Sequence, residues 1–176
     1  MSDLEPAIDS VENDEEAIYV ITRTGRKEQL DTNQITKRLK MLIDRKPKIP
    51  RVNPSALMLE VCNGLKSLIT TYEIDEYAAN AAASLSISNP HYLTVAARIA
   101  IDNHQKNTMR SFTDKMRKAY LNVEDGKVCP LVDSDFIKYV EEHQDFIEAT
   151  IDYNRDFRFE FFGFRTFQKS YSIKIG

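Results

Sequence analysis

The stretch from Val20 to Arg38 constrains the fold most, because strand, turn and helix signals follow one another there within a few residues. β-Branched and aromatic residues favour a strand over Tyr19–Thr22. Gly25 can adopt the positive φ of a hairpin turn, so Glu28–Leu30 is predicted to return as a second strand. A helix should follow, since residues suited to N-capping precede apolar residues at helical spacing. The potential caps are Asp31, Thr32 and Asn33, and the apolar positions are Ile35, Leu39, Leu42 and Ile43.

Two arginines, Arg23 and Arg26, flank the predicted turn, and the start of the helix is close by in sequence. Guanidinium groups and the free N–H groups of a helix start both favour phosphate. Basic hairpins are also common as simple solvated turns. The residues alone therefore leave a phosphate site and a solvated basic turn as alternatives.

Four helical patterns, separated by capping and breaking residues, follow the first strands and predict a small helix bundle. A two-stranded hairpin is too small to stand alone, so it should lie across one end or face of that bundle. The first helix is predicted over Gln34–Arg45 and is ended by the breaker run Lys46–Pro50. The second starts at Asn53 and Pro54, and the third is capped by Thr70 and Thr71, with Glu73 in its first turn. The fourth starts at Ser88–Pro90. The predicted buried stripes are Leu57, Val61, Leu65 and Leu68; Ile74, Ala78, Ala81 and Leu85; and Leu93, Ala96, Ala97, Ala100 and Ile101.

Charge is distributed unevenly along the chain. Residues 1–17 contain seven acidic residues and no Lys or Arg, which predicts a mobile acidic tail, whereas the remainder has 20 acidic residues against 24 basic ones. That mild positive balance suits a nucleotide better than a nucleic acid. Cys62 and Cys129 give neither a disulfide framework nor metal-ligand spacing, and no apolar run reaches membrane-spanning length. We therefore expect a cytoplasmic protein that binds no metal in this part.

The pattern changes after Asn107. Phe112, Met116 and Tyr120 indicate another helix, and an irregular stretch is predicted from Asn122 to Asp133. Ser134 should cap a helix that runs to about Ala149, with Phe136, Val140 and Phe146 among its apolar positions. An aromatic-rich run and a strand-like Tyr171–Ile175 complete the chain; such a strand needs a partner sheet, so we expect this sequence to be the N-terminal piece of a longer subunit.

Two segments resemble one known family. Val20-Ile21-Thr22-Arg23-Thr24-Gly25-Arg26-Lys27-Glu28, with Ile35 opening a helix, resembles the ATP-cone, the regulatory nucleotide-binding module of ribonucleotide reductase large subunits. Tyr153-Asn154-Arg155-Asp156-Phe157, Phe161-Phe162-Gly163-Phe164-Arg165-Thr166 and Ser170-Tyr171 resemble the segment that opens the catalytic part of class I large subunits of the eukaryotic type. The resemblance extends from Tyr19 to Gly176.

The resemblance implies a mostly α (α+β) fold in which a small sheet caps a four-helix bundle. It divides the chain into the acidic tail (1–17), the ATP-cone (18–109) and the helical start of the catalytic domain (110–176). Class I large subunits reduce ribonucleoside diphosphates to deoxyribonucleotides by radical chemistry, together with a radical-generating small subunit, and they form homo-oligomers. The family's catalytic cysteines lie beyond residue 176, and neither Cys62 nor Cys129 matches one. This part alone is therefore expected to be inactive.

In the family, ATP activates and dATP inhibits at the cone. Carried over position by position, the resemblance predicts the nucleotide contacts of this chain. They are Thr22, Arg23, Glu28, Gln29, Leu30, Asp31, Thr32, Asn33, Gln34, Thr71, Asp75 and Lys106.

Several positions depart from the family's pattern, and most of the departures remove positive charge. Thr22, Gln34 and Met109 stand where lysines are usual, and Thr24 and Asn33 stand where aspartates are usual. Each charge-assisted contact is worth roughly 1.5–3 kcal/mol, so the losses matter for a triphosphate. An alternative is therefore a degenerate cone that serves only as a structural cap or subunit-interaction module.

Other classes of function have less support in the sequence. A nucleic-acid-binding module is disfavoured because no helix concentrates Lys and Arg with base-reading residues. No P-loop is present. His91, His104 and His143 are scattered over helical patterns and are expected to be surface or structural residues rather than members of a catalytic triad.

Overall fold

The computed structural model describes residues 18–65 and 68–172. The predicted acidic tail lies outside this part of the chain. Strands β1 (Tyr19–Ile21) and β2 (Lys27–Gln29) form the predicted antiparallel hairpin, with Gly25 in the turn at φ 79°. A further strand, β3 (Ile69–Thr70), pairs in parallel with β1 and completes a sheet of order β2-β1-β3. The sequence did not predict β3, since two residues are too short for any periodicity.

Four helices form the predicted bundle: α1 (Thr32–Asp44), α2 (Pro54–Gly64), α3 (Thr71–Leu85) and α4 (His91–Asn107). Their starts have local causes. The Asn53 side chain accepts hydrogen bonds from the backbone N–H groups of Ser55 and Ala56, and Thr70 and Glu73 form a reciprocal capping box. The prediction of a mostly α fold with a small sheet is confirmed.

The core lies between α3 and α4, where small side chains let the two helices approach closely. Ala79 and Ala82 of α3 are fully buried, as are Ala96 and Ala100 of α4.

The buried stripe predicted for the second helix was wrong at its C-terminal end. Helix α2 stops at Gly64, and Leu68 lies outside it, exposed and at a positive φ.

After the bundle come helix α5 (Phe112–Tyr120), a short hairpin of β4 (Val123–Glu124) and β5 (Lys127–Val128), and helices α6 (Ser134–Glu142) and α7 (Gln144–Thr150). The prediction of an irregular stretch from Asn122 to Asp133 was therefore wrong over the hairpin, residues 123–128, and holds for residues 129–133. Asp125-Gly126 is a strong hairpin signal, and both residues adopt positive φ in this turn.

The single helix predicted from Ser134 to about Ala149 was also wrong. It is divided at His143, and its N-cap is Asp133 rather than Ser134. Phe136 and Phe146, predicted as apolar positions of that helix, are exposed. Val140, which was also predicted, is buried, and Ile137, which was not, is buried beside it on α6.

The aromatic-rich run folds back onto the bundle. It forms a 3-10 helix (Tyr153–Arg158) and helix α8 (Phe161–Ser170). Phe161 and Phe164 are buried in the same apolar cluster as the bundle helices, against α4. Tyr171 closes α8, so it does not start the predicted strand, and the rest of Tyr171–Ile175 beyond Ser172 lies outside the described residues. Among the described helices, none combines the length and apolar character needed to cross a bilayer.

Candidate functional site

A cavity of about 330 Å³ opens where the hairpin, the start of α1, the start of α3 and the end of α4 meet. Of the residues predicted as nucleotide contacts, all except Thr32 and Asn33 line it. Those two lie on the first turn of α1. The lining also includes residues that were not predicted: Val20, Ile35, Arg38 and Ile74.

Asp31 occupies the helix start that the sequence suggested as a phosphate site. Its side chain accepts hydrogen bonds from the backbone N–H groups of Asn33 and Gln34. Arg26 is exposed, lies 3.8 Å from the Glu28 carboxylate and does not line the cavity. Attraction for an anion in this cavity therefore depends on side-chain cations other than Arg26.

Asp75 forms the base of a charged network in this cavity and is only 6% exposed. One carboxylate oxygen accepts a hydrogen bond from Arg23 Nη2 at 2.9 Å, and the other accepts one from Arg38. Both oxygens of this predicted contact are thus engaged by arginines. Asp75 can orient the two guanidinium groups, each of which is suited to binding phosphate.

Arg38 is the main residue of the cavity that sequence reasoning missed. It lies one turn after Gln34 on α1, and this i, i+4 spacing was the available signal. Burial acts to lower the pKa of Arg38, but the hydrogen bonds and negative charges of Asp75 and Asp102 outweigh it, so the pKa is raised. Arg38 therefore stays charged within the network.

Asp102 links Arg38 to the predicted contact Lys106. Its Oδ2 atom accepts hydrogen bonds from Lys106 Nζ at 2.8 Å and from Arg38 Nε at 3.1 Å. Burial acts to raise the pKa of Asp102, but the hydrogen bonds and positive charges of Lys106 and Arg38 outweigh it, so the pKa is lowered. Asp102 was not predicted, although it lies one turn before Lys106 on the same helix.

Arg23 also connects the cavity to the interior of the bundle. It donates to the side-chain oxygens of Asn103 at 2.8 Å and Asn107 at 3.2 Å. Asn103 is fully buried, and its amide nitrogen donates to Glu76 at 3.0 Å. Arg23 is thus held by neutral and acidic partners on two helices.

The departures from the family's pattern have a visible consequence at the hairpin. Thr22 lines the cavity but contributes only a hydroxyl group, which accepts a hydrogen bond from the backbone N–H of Arg26 and lies 2.9 Å from the Thr24 hydroxyl. Met109 lines a neighbouring cavity instead. Neither position supplies a cation to the site.

The three histidines do not form a common site, as the sequence indicated. His91 is exposed, His143 stacks on Tyr139, and His104 meets Phe164 edge-on. Cys62 and Cys129 are both free thiols. Within residues 18–65 and 68–172, no group of three or more potential ligands could hold a metal ion.

The cavity therefore offers cations beside an apolar lining. Arg23, Arg38 and Lys106 supply positive charge, and Val20, Leu30, Ile35 and Ile74 supply apolar surface. A cavity of this size and mixed character suits a ligand that joins an anionic group to a ring system.

A small sheet over a four-helix bundle, with such a cavity beneath it, defines a cone-type domain. Residues 18–107 match the ATP cone domain, and the chain belongs to this family.

The similarity to known proteins extends beyond the cone. The chain is 35% identical over 173 residues to the ribonucleoside-diphosphate reductase large subunit of Dictyostelium discoideum, covering 96% of this chain and 20% of that protein. It is 34% identical over 160 residues to the large subunits of Arabidopsis thaliana and of vaccinia virus (strain Copenhagen), covering 90% of this chain and 20% and 21% of those proteins. These similarities confirm the resemblance to reductase large subunits, of which the chain spans about a fifth of the length.

Proposed function

We propose that the cavity binds ATP and dATP as allosteric effectors, and that the chain regulates a ribonucleoside-diphosphate reductase large subunit of which it forms the N-terminal part. The observation that carries the proposal is the convergence of Arg23, Arg38 and Lys106 on one cavity with apolar lining. Guanidinium and ammonium groups bind phosphates, and the apolar surface suits a base.

The activity proposed for the whole subunit is the reduction of ribonucleoside diphosphates to deoxyribonucleotides. It requires a radical-generating small subunit and cysteines that lie outside this chain. Residues 18–109 are proposed as the cone, and 110–176 as the start of the catalytic part. The packing of Phe161 and Phe164 into the cone's core supports a rigid connection between these two parts.

Regulation requires more than binding. Each nucleotide must favour one assembly of large subunits over another, because a ligand with equal affinity for both assemblies does not change the equilibrium between them. The proposed partners are therefore other copies of the large subunit and the small subunit.

A second candidate, a cone kept only as a structural cap, is supported by Thr22. Its hydroxyl replaces a cation at the cavity wall, and Asp75 and Asp102 already engage the arginines and the lysine. The two candidates differ in one measurable property, which is affinity for nucleotides.

Calorimetric titration of ATP and dATP into the 176-residue protein tests the proposal. Micromolar binding that is weakened at least tenfold by Arg23→Gln, but not by Arg26→Gln, supports the cone as a nucleotide sensor. The two variants lose the same charge from the same hairpin, and only Arg23 lines the cavity. If the folded protein does not bind but Thr22→Lys does, the structural-cap candidate is correct.

A further inference from the structure

Lys106 lies between two cavities. It lines the candidate nucleotide site, and it also lines a neighbouring cavity of about 330 Å³ between the end of α4 and the segment after it. Asp102 lines the neighbouring cavity and not the nucleotide site. The carboxylate that holds Lys106 is therefore placed on the side of the second cavity.

The same carboxylate holds Arg38. A single oxygen of Asp102 accepts hydrogen bonds from both Lys106 and Arg38, so it restrains two of the three cations of the nucleotide site. The Asp102 side chain is 16% exposed and that of Lys106 is 38% exposed. The pair is thus accessible enough to be separated by a ligand, unlike the more deeply placed contacts of Asp75.

We propose that Asp102 determines the affinity of the site, because its carboxylate competes with the phosphates of the ligand for Lys106 and Arg38. This inference rests on the proposed nucleotide function and deepens it. A phosphate that contacts either cation must share that cation with the Asp102 carboxylate or displace the carboxylate from it. The phosphate and the carboxylate are both negative and repel each other. Binding is then weaker than the three cations alone would give.

Asp75 has a different role, although it also contacts Arg38. Its two oxygens bond separate arginines from a nearly buried position, so it fixes their orientation. Asp102 contributes one oxygen to both Lys106 and Arg38 from a more exposed position. Removing a positioning acid should weaken binding, whereas removing a competing acid should strengthen it.

The test is a titration of the 176-residue protein and its Asp102→Asn variant with ATP, inorganic tripolyphosphate and adenosine. We expect about tenfold tighter binding of ATP and of tripolyphosphate by the variant, and unchanged binding of adenosine, because only the phosphates meet the released cations. The gain should shrink as salt is raised from 50 to 500 mM, about a threefold contraction of the screening length.

Asp44→Asn is the matched control. Asp44 forms an i, i+4 pair with Lys48 at 2.8 Å on α1 and does not line the nucleotide site. The control removes the same charge from outside the nucleotide site, so it should leave the affinities for ATP, tripolyphosphate and adenosine unchanged. In the double variant Asp102→Asn, Lys106→Gln most of the gain should be lost. Where Asp102→Asn does not fold, Asp102→Ser serves for the same titrations.

The possible results separate this inference from the function on which it rests. If the unmodified protein binds ATP and Asp102→Asn binds it equally or more weakly, Asp102 is not a competitor, and the nucleotide function stands. If only the variant binds ATP, competition by Asp102 is supported and explains why the unmodified protein does not bind it. If neither folded protein binds ATP or tripolyphosphate, the nucleotide function and the inference are both wrong.

Discussion

Arg165 of α8 forms a salt bridge of 2.8 Å with Glu76 of α3, which joins the aromatic-rich segment to the bundle. The other oxygen of Glu76 accepts the hydrogen bond from Asn103, and Asn103 in turn accepts one from Arg23 in the candidate site. A continuous set of polar contacts therefore extends from the hairpin to α8. Helix α8 is bound to the bundle by these contacts as well as by its buried phenylalanines.

The Glu76–Arg165 pair should contribute measurably to stability. Its side chains are 24% and 22% exposed, so solvent screens it less than a surface pair. A double-mutant cycle with Glu76→Gln and Arg165→Met, measured by urea unfolding, should give a coupling free energy of about 1 kcal/mol. The Glu141–Arg117 pair is the control, because it has a similar distance of 2.7 Å but side chains that are 43% and 44% exposed. Equal coupling in both cycles would contradict this expectation.

Phe164 should be as important to stability as residues of the bundle itself. It is 4% exposed in the shared core, whereas Phe162 on the same helix is 66% exposed. Phe164→Ala should lower the free energy of unfolding by about 3–5 kcal/mol, and Phe162→Ala by less than about 0.5 kcal/mol. Thermal and urea unfolding measure both. Similar losses would mean that α8 does not complete the core.

His104 should make stability depend on pH. Burial lowers its pKa, as does the positive charge of Lys115, and the charges of Asp156 and Glu76 oppose this only partly. The unfolded state then binds more protons between the lowered pKa and the ordinary value of about 6.5, so stability falls as pH drops through that window. Below the lowered pKa of His104, this fall in stability is complete and does not change further with pH.

His104→Gln should flatten this dependence, because the amide does not titrate. Urea unfolding at intervals from pH 7.5 to pH 5 measures the slope. His91→Gln is the control, since it removes an exposed imidazole from the same helix, α4. A slope that persists in His104→Gln would assign the pH dependence to another group.

Arg98 should stabilise the end of α1. Its side chain is buried and donates to the backbone carbonyls of Leu42 and Arg45 at 2.7 and 2.8 Å, and also to Ile43 and Pro47. Burial lowers the pKa of Arg98, as does the nearby charge of Arg45, so these carbonyls are the main compensation for the buried cation. Arg98→Met should cost about 3 kcal/mol in urea unfolding.

Arg98→Lys should recover little of that loss, because an ammonium group cannot reproduce the planar array of guanidinium donors. Lys37→Met removes a cation from the exposed side of α1, the helix whose end Arg98 contacts, and should change stability by less than about 0.5 kcal/mol. Full recovery by lysine would show that charge near the helix end matters more than hydrogen-bond geometry.

Local signals explain the parts of the fold that were predictable. The cap at Asn53, the capping box of Thr70 and Glu73, and the turn at Gly25 each depend on residues within a few positions of one another. The break at His143 was not predictable in this way, because the apolar spacing continues across it. The Asp125-Gly126 hairpin had a local signal that was overlooked.

The candidate site was predicted from the resemblance for Arg23, Asp75 and Lys106, and the structure brings these residues to one cavity. Arg38 and Asp102 were missed. Each is an ordinary charged residue on an amphipathic helix, and only the approach of α1 to α4 makes them partners. The use of these residues as nucleotide contacts stays a prediction.

The sequence by itself determined the order of the bundle helices and the caps that start α2 and α3, because caps, breakers and apolar periodicity act within one or two turns. Only the tertiary structure decided the pairing of β3 with β1, the charged network around Asp75 and Asp102, and the burial of Phe164 against α4. Those features join residues tens of positions apart. Their energies depend on distance, orientation and exclusion of water, which no local pattern of residues specifies.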